Sequence, residues 1–168
     1  MKKGQVWIET VLYTIIWLAL IGMVLAFTYP KINEMQEKAL IEQTISSLQS
    51  LDNIITLVNE RGPGNVKSYY FSMKKGEMLI NASGDKIVFT LGGLKSSYSQ
   101  PGVEISEGTI YINNTKGQKS YTLQLELRYN TNITYLEKDI EKKFAQSQKP
   151  YQFFISNKGN YIDIEESS

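Results

Sequence analysis

Residues 10–29, Thr-Val-Leu-Tyr-Thr-Ile-Ile-Trp-Leu-Ala-Leu-Ile-Gly-Met-Val-Leu-Ala-Phe-Thr-Tyr, contain no charged side chain. As a helix, a run of this length rises about 30 Å, the thickness of a bilayer's hydrocarbon core. Such a stretch cannot alternate buried and wet faces. It predicts a membrane-spanning helix and leaves the rest of the 168 residues to form one modest body with a core of its own. The run is too long for a cleaved secretory signal, and no small-residue cleavage site closes it. Lys2 and Lys3 precede it, while basic and acidic residues mix after it. The positive-inside tendency therefore predicts a single-pass chain with an extracytoplasmic C-terminal body.

Several function classes are disfavoured by composition. The chain has no Cys and no His, which removes disulfides, thiolate chemistry, the usual zinc sites and the commonest general base. Net charge is +1, with basic residues interspersed among acidic ones, so the footprint of a nucleic-acid binder is lacking. Gly92-Gly93 and Lys74-Lys75-Gly76 lack the spacing of a phosphate-cradling loop and read as turns. Asp85, Asp139 and Asp163 could join in a calcium site, but no Asp-x-Asp-x-Asp-Gly loop is present, and Glu165-Glu166 reads as a solvated end. The expectation is a non-enzyme without catalytic residues, metal or cofactor.

Glu9 is the exception to this plainness. A carboxylate at the edge of a spanning segment costs free energy, so such residues are usually paired or functional. A simple anchor does not require one. Were the chain cut after Gly4, the new α-ammonium of Gln5 would lie four residues from Glu9, one helical turn, and an ion pair within or between chains becomes available.

Lys3-Gly4-Gln5-Val6-Trp7-Ile8-Glu9 followed by an apolar helix resembles the class III signal peptide of archaeal type IV pilin-like proteins. The resemblance covers about the first 29 residues. It implies that a membrane prepilin peptidase cuts between Gly4 and Gln5 on the cytoplasmic side, where Lys2 and Lys3 hold the site and the bare Gly4 backbone admits the enzyme. It also implies that Glu9 registers sister subunits during assembly of a cell-surface filament. Trp7 and Thr10 depart from the commonest pattern, which has a small polar residue and a large apolar one at these positions. The alternative reading is an unprocessed single-pass anchor carrying an extracellular binding module.

Beyond the span, Pro30 removes one helical hydrogen bond and predicts a kink, but the helix is expected to resume. Ile41, Ile45, Leu48, Leu51, Ile55 and Val58 recur at spacings of three and four, an amphipathic stripe. Arg61-Gly62-Pro63-Gly64 predicts the stop. The chain therefore divides into a signal at 1–4, a transmembrane or filament-core helix at 5–29, an extracytoplasmic amphipathic helix at 30–60 and a β-rich domain at 66–168.

The expected class is α+β, a long N-terminal helix packed on an antiparallel sheet. Tyr121 to Tyr129 alternates apolar and polar residues and predicts a central strand. Short strands are expected at Tyr69–Phe71, at Met78–Ile80, at Ile87–Phe89 before a Gly92-Gly93 turn, and in pairs at Val103–Ile105 with Ile110–Ile112. The spacing of Ile133, Leu136, Ile140 and Phe144 suggests a short helix, and Phe153–Ile155 with Tyr161–Ile164 a closing hairpin. Asn81, Asn113 and Asn132 each begin an Asn-x-Ser/Thr acceptor for N-glycosylation.

Overall fold

The computed structural model describes the backbone of residues 2–167 and the side chains of residues 7–167. The fold is α+β. Among the described residues one helix, α1 (Lys2–Glu60), precedes ten strands and a 3₁₀ turn, and the chain divides into two compact units between Ala39 and Leu40.

In the first unit the helix runs through Pro30, so the missing proline N–H does not end it. In the second unit the predicted stripe is the packing face. Ile41, Ile45, Leu48, Leu51, Ile55 and Val58 are all buried and join one core cluster with the strands. The helix stops where the glycine allows it: Gly62 adopts φ 82, and its N–H bonds the Asn59 carbonyl at 3.2 Å, satisfying an orphan carbonyl in a left-handed conformation that glycine takes at no steric cost.

The strands are β1 (Val66–Phe71), β2 (Glu77–Asn81), β3 (Lys86–Leu94), β4 (Ile105–Glu107), β5 (Ile110–Lys116), β6 (Tyr121–Arg128), β7 (Ile133–Tyr135), β8 (Glu141–Ala145), β9 (Tyr151–Asn157) and β10 (Ile162–Glu166). They form two sheets, ordered β1-β9-β10-β7 and β4-β5-β6-β3-β2-β8. Every pair is antiparallel except β7 with β10, which is parallel. The sheets meet through aromatic rings: Phe71 lies 6.2 Å from Phe89, and Phe144 meets Phe153 edge-on at 5.1 Å, the offset geometry that ring quadrupoles favour.

β6 is an interior strand, and its Leu123, Leu125 and Leu127 are buried as the alternation requires. The closing hairpin forms between β9 and β10. Polar bonds fix the helix of this unit on the strands. Tyr69 Oη donates to the Ser47 carbonyl at 2.9 Å, Thr109 Oγ1 to Asp52 Oδ2 at 2.7 Å, and Asn157 Nδ2 to the Val58 carbonyl at 3.3 Å.

Three expectations are corrected. No helix covers residues 133–144. The residues there form β7 and β8, and Leu136 and Ile140, half of the supposed stripe, are exposed. The β-branched and aromatic Ile133-Thr134-Tyr135 are all buried and suit a pleated strand better than a helix. Gly92-Gly93 is not a turn. It lies inside β3, where the register shifts between Leu91 and Leu94, a bulge that glycine accommodates. The Val103–Ile105 strand begins later than expected, at Ile105.

Candidate functional site

The apolar segment of α1 contains an 18-residue window of mean hydropathy 2.3, none of it buried inside the protein. It is long and apolar enough to cross a membrane. Its large side chains are exposed on every side: Trp7, Ile8, Leu12, Tyr13, Trp17, Leu18, Met23 and Phe27 are each more than half accessible. A helix apolar all round needs an apolar medium or apolar neighbours over its whole circumference. Two threonine hydroxyls within it are internally satisfied, Thr14 Oγ1 donating to the Thr10 carbonyl and Thr28 Oγ1 to the Val24 carbonyl, both at 2.8 Å. That removes the penalty a bare hydroxyl pays in hydrocarbon.

Glu9 is exposed, one residue before the uncharged run. Gly22, midway along it, has open space where a Cβ would stand, so at that point a neighbouring helix can approach the backbone closely. Lys31 and Glu34, just past Pro30, pair at 2.9 Å and mark the return to polar surroundings. Lys2, Lys3, Gly4 and Gln5, the residues of the expected cleavage site and of the Gln5–Glu9 pair, lie outside the residues whose side chains are described.

The three glycosylation acceptors differ in setting. Asn81 is used structurally: its side chain accepts from the Gly84 N–H at 2.9 Å, capping the 3₁₀ turn, and donates to Glu141 Oε1 at 2.7 Å. Asn113 is half-buried, its Oδ1 enclosed without a partner. Asn132 is exposed, but Thr134 of the same motif is buried and donates to Asp163 Oδ1 at 2.6 Å.

Acidic residues gather where they were not expected. Asp85 and Asp139 do not join Asp163. Asp85 Oδ1 instead accepts from the Ile133 N–H at 2.8 Å. Asp163 converges with Glu137 and Glu165, one carboxylate oxygen of each lying within 4.8 Å of the others. Glu165 and Glu166 belong to β10 and are half-buried, not a solvated end. The Asp163 carboxylate against it, and to a lesser extent burial, hold the Glu165 carboxyl above its ordinary value. The alternation Ile162-Asp163-Ile164-Glu165 could have signalled one acidic face on this strand. Glu137 carried no such signal, since the turn that delivers it is long-range in origin.

Comparison with protein-family models, with curated proteins and with solved structures returns no match.

Proposed function

We propose that the chain is a type IV pilin-like structural subunit of an archaeal cell-surface filament. In this reading it is made as a membrane protein, cut after Gly4 by a prepilin peptidase and assembled with sister subunits through its N-terminal helix. The observation that carries the proposal is the uncharged helix of residues 10–29, exposed all round, with Glu9 at its edge. Lipid can cover such a face before assembly, and sister helices can cover it afterwards. Glu9 then offsets its burial by pairing with the Gln5 ammonium of an adjacent subunit. Such a pair contributes more to register than to net stability.

The protein acts by assembly and catalyses no reaction. The β-rich unit would face outward, and its three acceptor asparagines make it a candidate glycoprotein. Mass shifts lost in Asn81→Gln, Asn113→Gln or Asn132→Gln chains from the native host would identify a modified site, and no shift at any of them would remove that part of the reading.

The deciding experiment is the N-terminus of the membrane-extracted protein, read by mass spectrometry. Cleavage gives a chain beginning at Gln5, and Gly4→Leu gives one that retains the leading residues. A wild-type chain beginning at Met1 or Lys2 overturns processing and favours the single-pass anchored binding module.

A further inference from the structure

Ammoniums crowd the loops at one end of the second unit. Register places these loops together: Glu77 opens β2 opposite Ala145, which closes β8, and opposite Thr90 of β3. Farther along β3, Leu94 pairs with Tyr121, which pairs with Lys116. The turn after β1, the turn before β9 and the β5–β6 turn therefore share one end of the six-stranded sheet. They carry Lys74 and Lys75, Lys149, and Lys116 and Lys119 respectively. The Ser147 N–H on the Met73 carbonyl ties the first two turns together, and the Gly117 N–H on the Ser120 carbonyl closes the third, both at 2.8 Å.

None of these five ammoniums forms a salt bridge with a described residue. Elsewhere in the unit, Lys86 and Arg128 share Glu126 at 3.3 and 3.2 Å, and Lys158 holds Glu137 at 2.7 Å. The carboxylates near the basic end are those of Glu42, Glu77 and Glu166, and of Glu104, which Arg128 holds at 2.7 Å. Leu40, Gln43 and Thr44 of α1 line one cleft with Ser72, Lys74 and Lys75, so the chain enters the unit at this same end. Residues 30–39 alone separate Leu40 from Tyr29, the last residue of the uncharged run. As a helix, that tether is about 15 Å long. The headgroup layer of a bilayer takes up about 5–8 Å of such a distance, and the Debye length at physiological salt covers about 8 Å more.

We infer that Lys74, Lys75, Lys116, Lys119 and Lys149 form a surface for anionic lipid headgroups of the leaflet from which α1 emerges. The inference rests on residues 10–29 being a membrane-crossing helix. Charge complementarity selects the partner, since lysines near an anionic membrane surface are each attracted to it. Breadth separates a lipid surface from a small anion. From β8 across β2, β3 and β6 to β5 the lysine-bearing loops spread over roughly 20 Å at ordinary strand spacing, too wide to converge on one phosphate. Each ammonium, on its flexible stem, reaches a headgroup of its own. Such a surface holds the β-rich unit against the membrane by a force that salt weakens.

The chain has no Cys, so one introduced cysteine carries one fluorophore. The full chain is reconstituted into vesicles of phosphatidylcholine, alone or with one third phosphatidylglycerol, with a headgroup-linked quencher in the outer leaflet. A label at Gln118→Cys, in the β5–β6 turn, should be quenched at least twofold more in the anionic vesicles. A label at Asn160→Cys, in the β9–β10 turn at the opposite end, should not change. Lys74→Gln, Lys116→Gln, Lys119→Gln and Lys149→Gln combined, all at exposed positions, should return the Gln118→Cys signal to its level in neutral vesicles. About 1 M NaCl should do the same without those four substitutions. Equal quenching of Gln118→Cys in both lipids overturns the surface. Reversal by phosphate but not by chloride at equal ionic strength overturns it in favour of a small-anion site. Failure of the chain to float with neutral vesicles overturns the membrane-crossing helix itself, an outcome distinct from the other two.

Discussion

Thr134 and Asp163, 29 positions apart, face each other across the parallel β7–β10 pair and share a 2.6 Å hydrogen bond that is buried on both sides. This bond holds a carboxylate on the outward face of a sheet yet out of water, and all that surrounds it follows from that placement. Thr134→Val keeps the shape and removes the donor. The expected cost is about 1–3 kcal/mol, the penalty for a buried acceptor left unsatisfied, read as a lower denaturation midpoint of the full chain in detergent. Because the substitution also destroys the Asn132 acceptor motif, Asn132→Gln is the control, and it should leave stability nearly unchanged.

Gly76 stands in the turn between β1 and β2 with φ 92, and a Cβ there would meet the Thr90 carbonyl at 2.7 Å and the Phe89 ring at 2.8 Å. Gly76→Ala therefore combines backbone strain with a clash against a main-chain atom. Destabilisation above about 1 kcal/mol is expected, visible in a thermal melt. A variant as stable as the wild type would show that the turn can open without cost.

Leu48 of the helical stripe is 0% exposed at the centre of the core cluster. Leu48→Ala removes apolar contacts and leaves a cavity, with an expected loss of about 2–5 kcal/mol. Gln43, on the exposed side of the same helix, serves as the reference position. Its substitution by Ala should change stability by less than about 0.5 kcal/mol.

If the chain is the filament subunit proposed, Glu9→Ala separates insertion from assembly. Removing a charge beside an apolar span favours insertion, so the protein should remain in the membrane fraction at wild-type levels or above. Filaments should be lost from the cell surface in electron micrographs. Normal filaments built from the Glu9→Ala chain would refute the registration role.

Much of the fold was legible in the sequence because it rests on short-range periodicity. The apolar helix at residues 10–29, the stripe from Ile41 to Val58, the stop at Gly62 and the alternation of β6 are each written in neighbouring residues, since local geometry alone decides which side chains share a face. Residues 133–144 show where that legibility ends. Their spacing imitates a helix, yet β7 pairs in parallel with a strand nearly thirty positions later, a partner no local window contains.

The candidate sites divide along the same line. Lys2, Lys3, Gly4, Gln5 and Glu9 lie in one short stretch of the chain, so the role proposed for them rests on order along the sequence. The Glu137–Asp163–Glu165 group could not be read in that way. Its members are ordinary acidic residues until the turn after β7 folds back over β10, and only then do they come together as one partly buried cluster. Sequence determined the long apolar helix and the pattern of the core, because hydrophobicity and its periodicity are local properties. Tertiary structure decided the sheet pairing, the bulge at Gly92-Gly93 and the acidic cluster, because each depends on a long-range register that the stability of the whole packed unit selects.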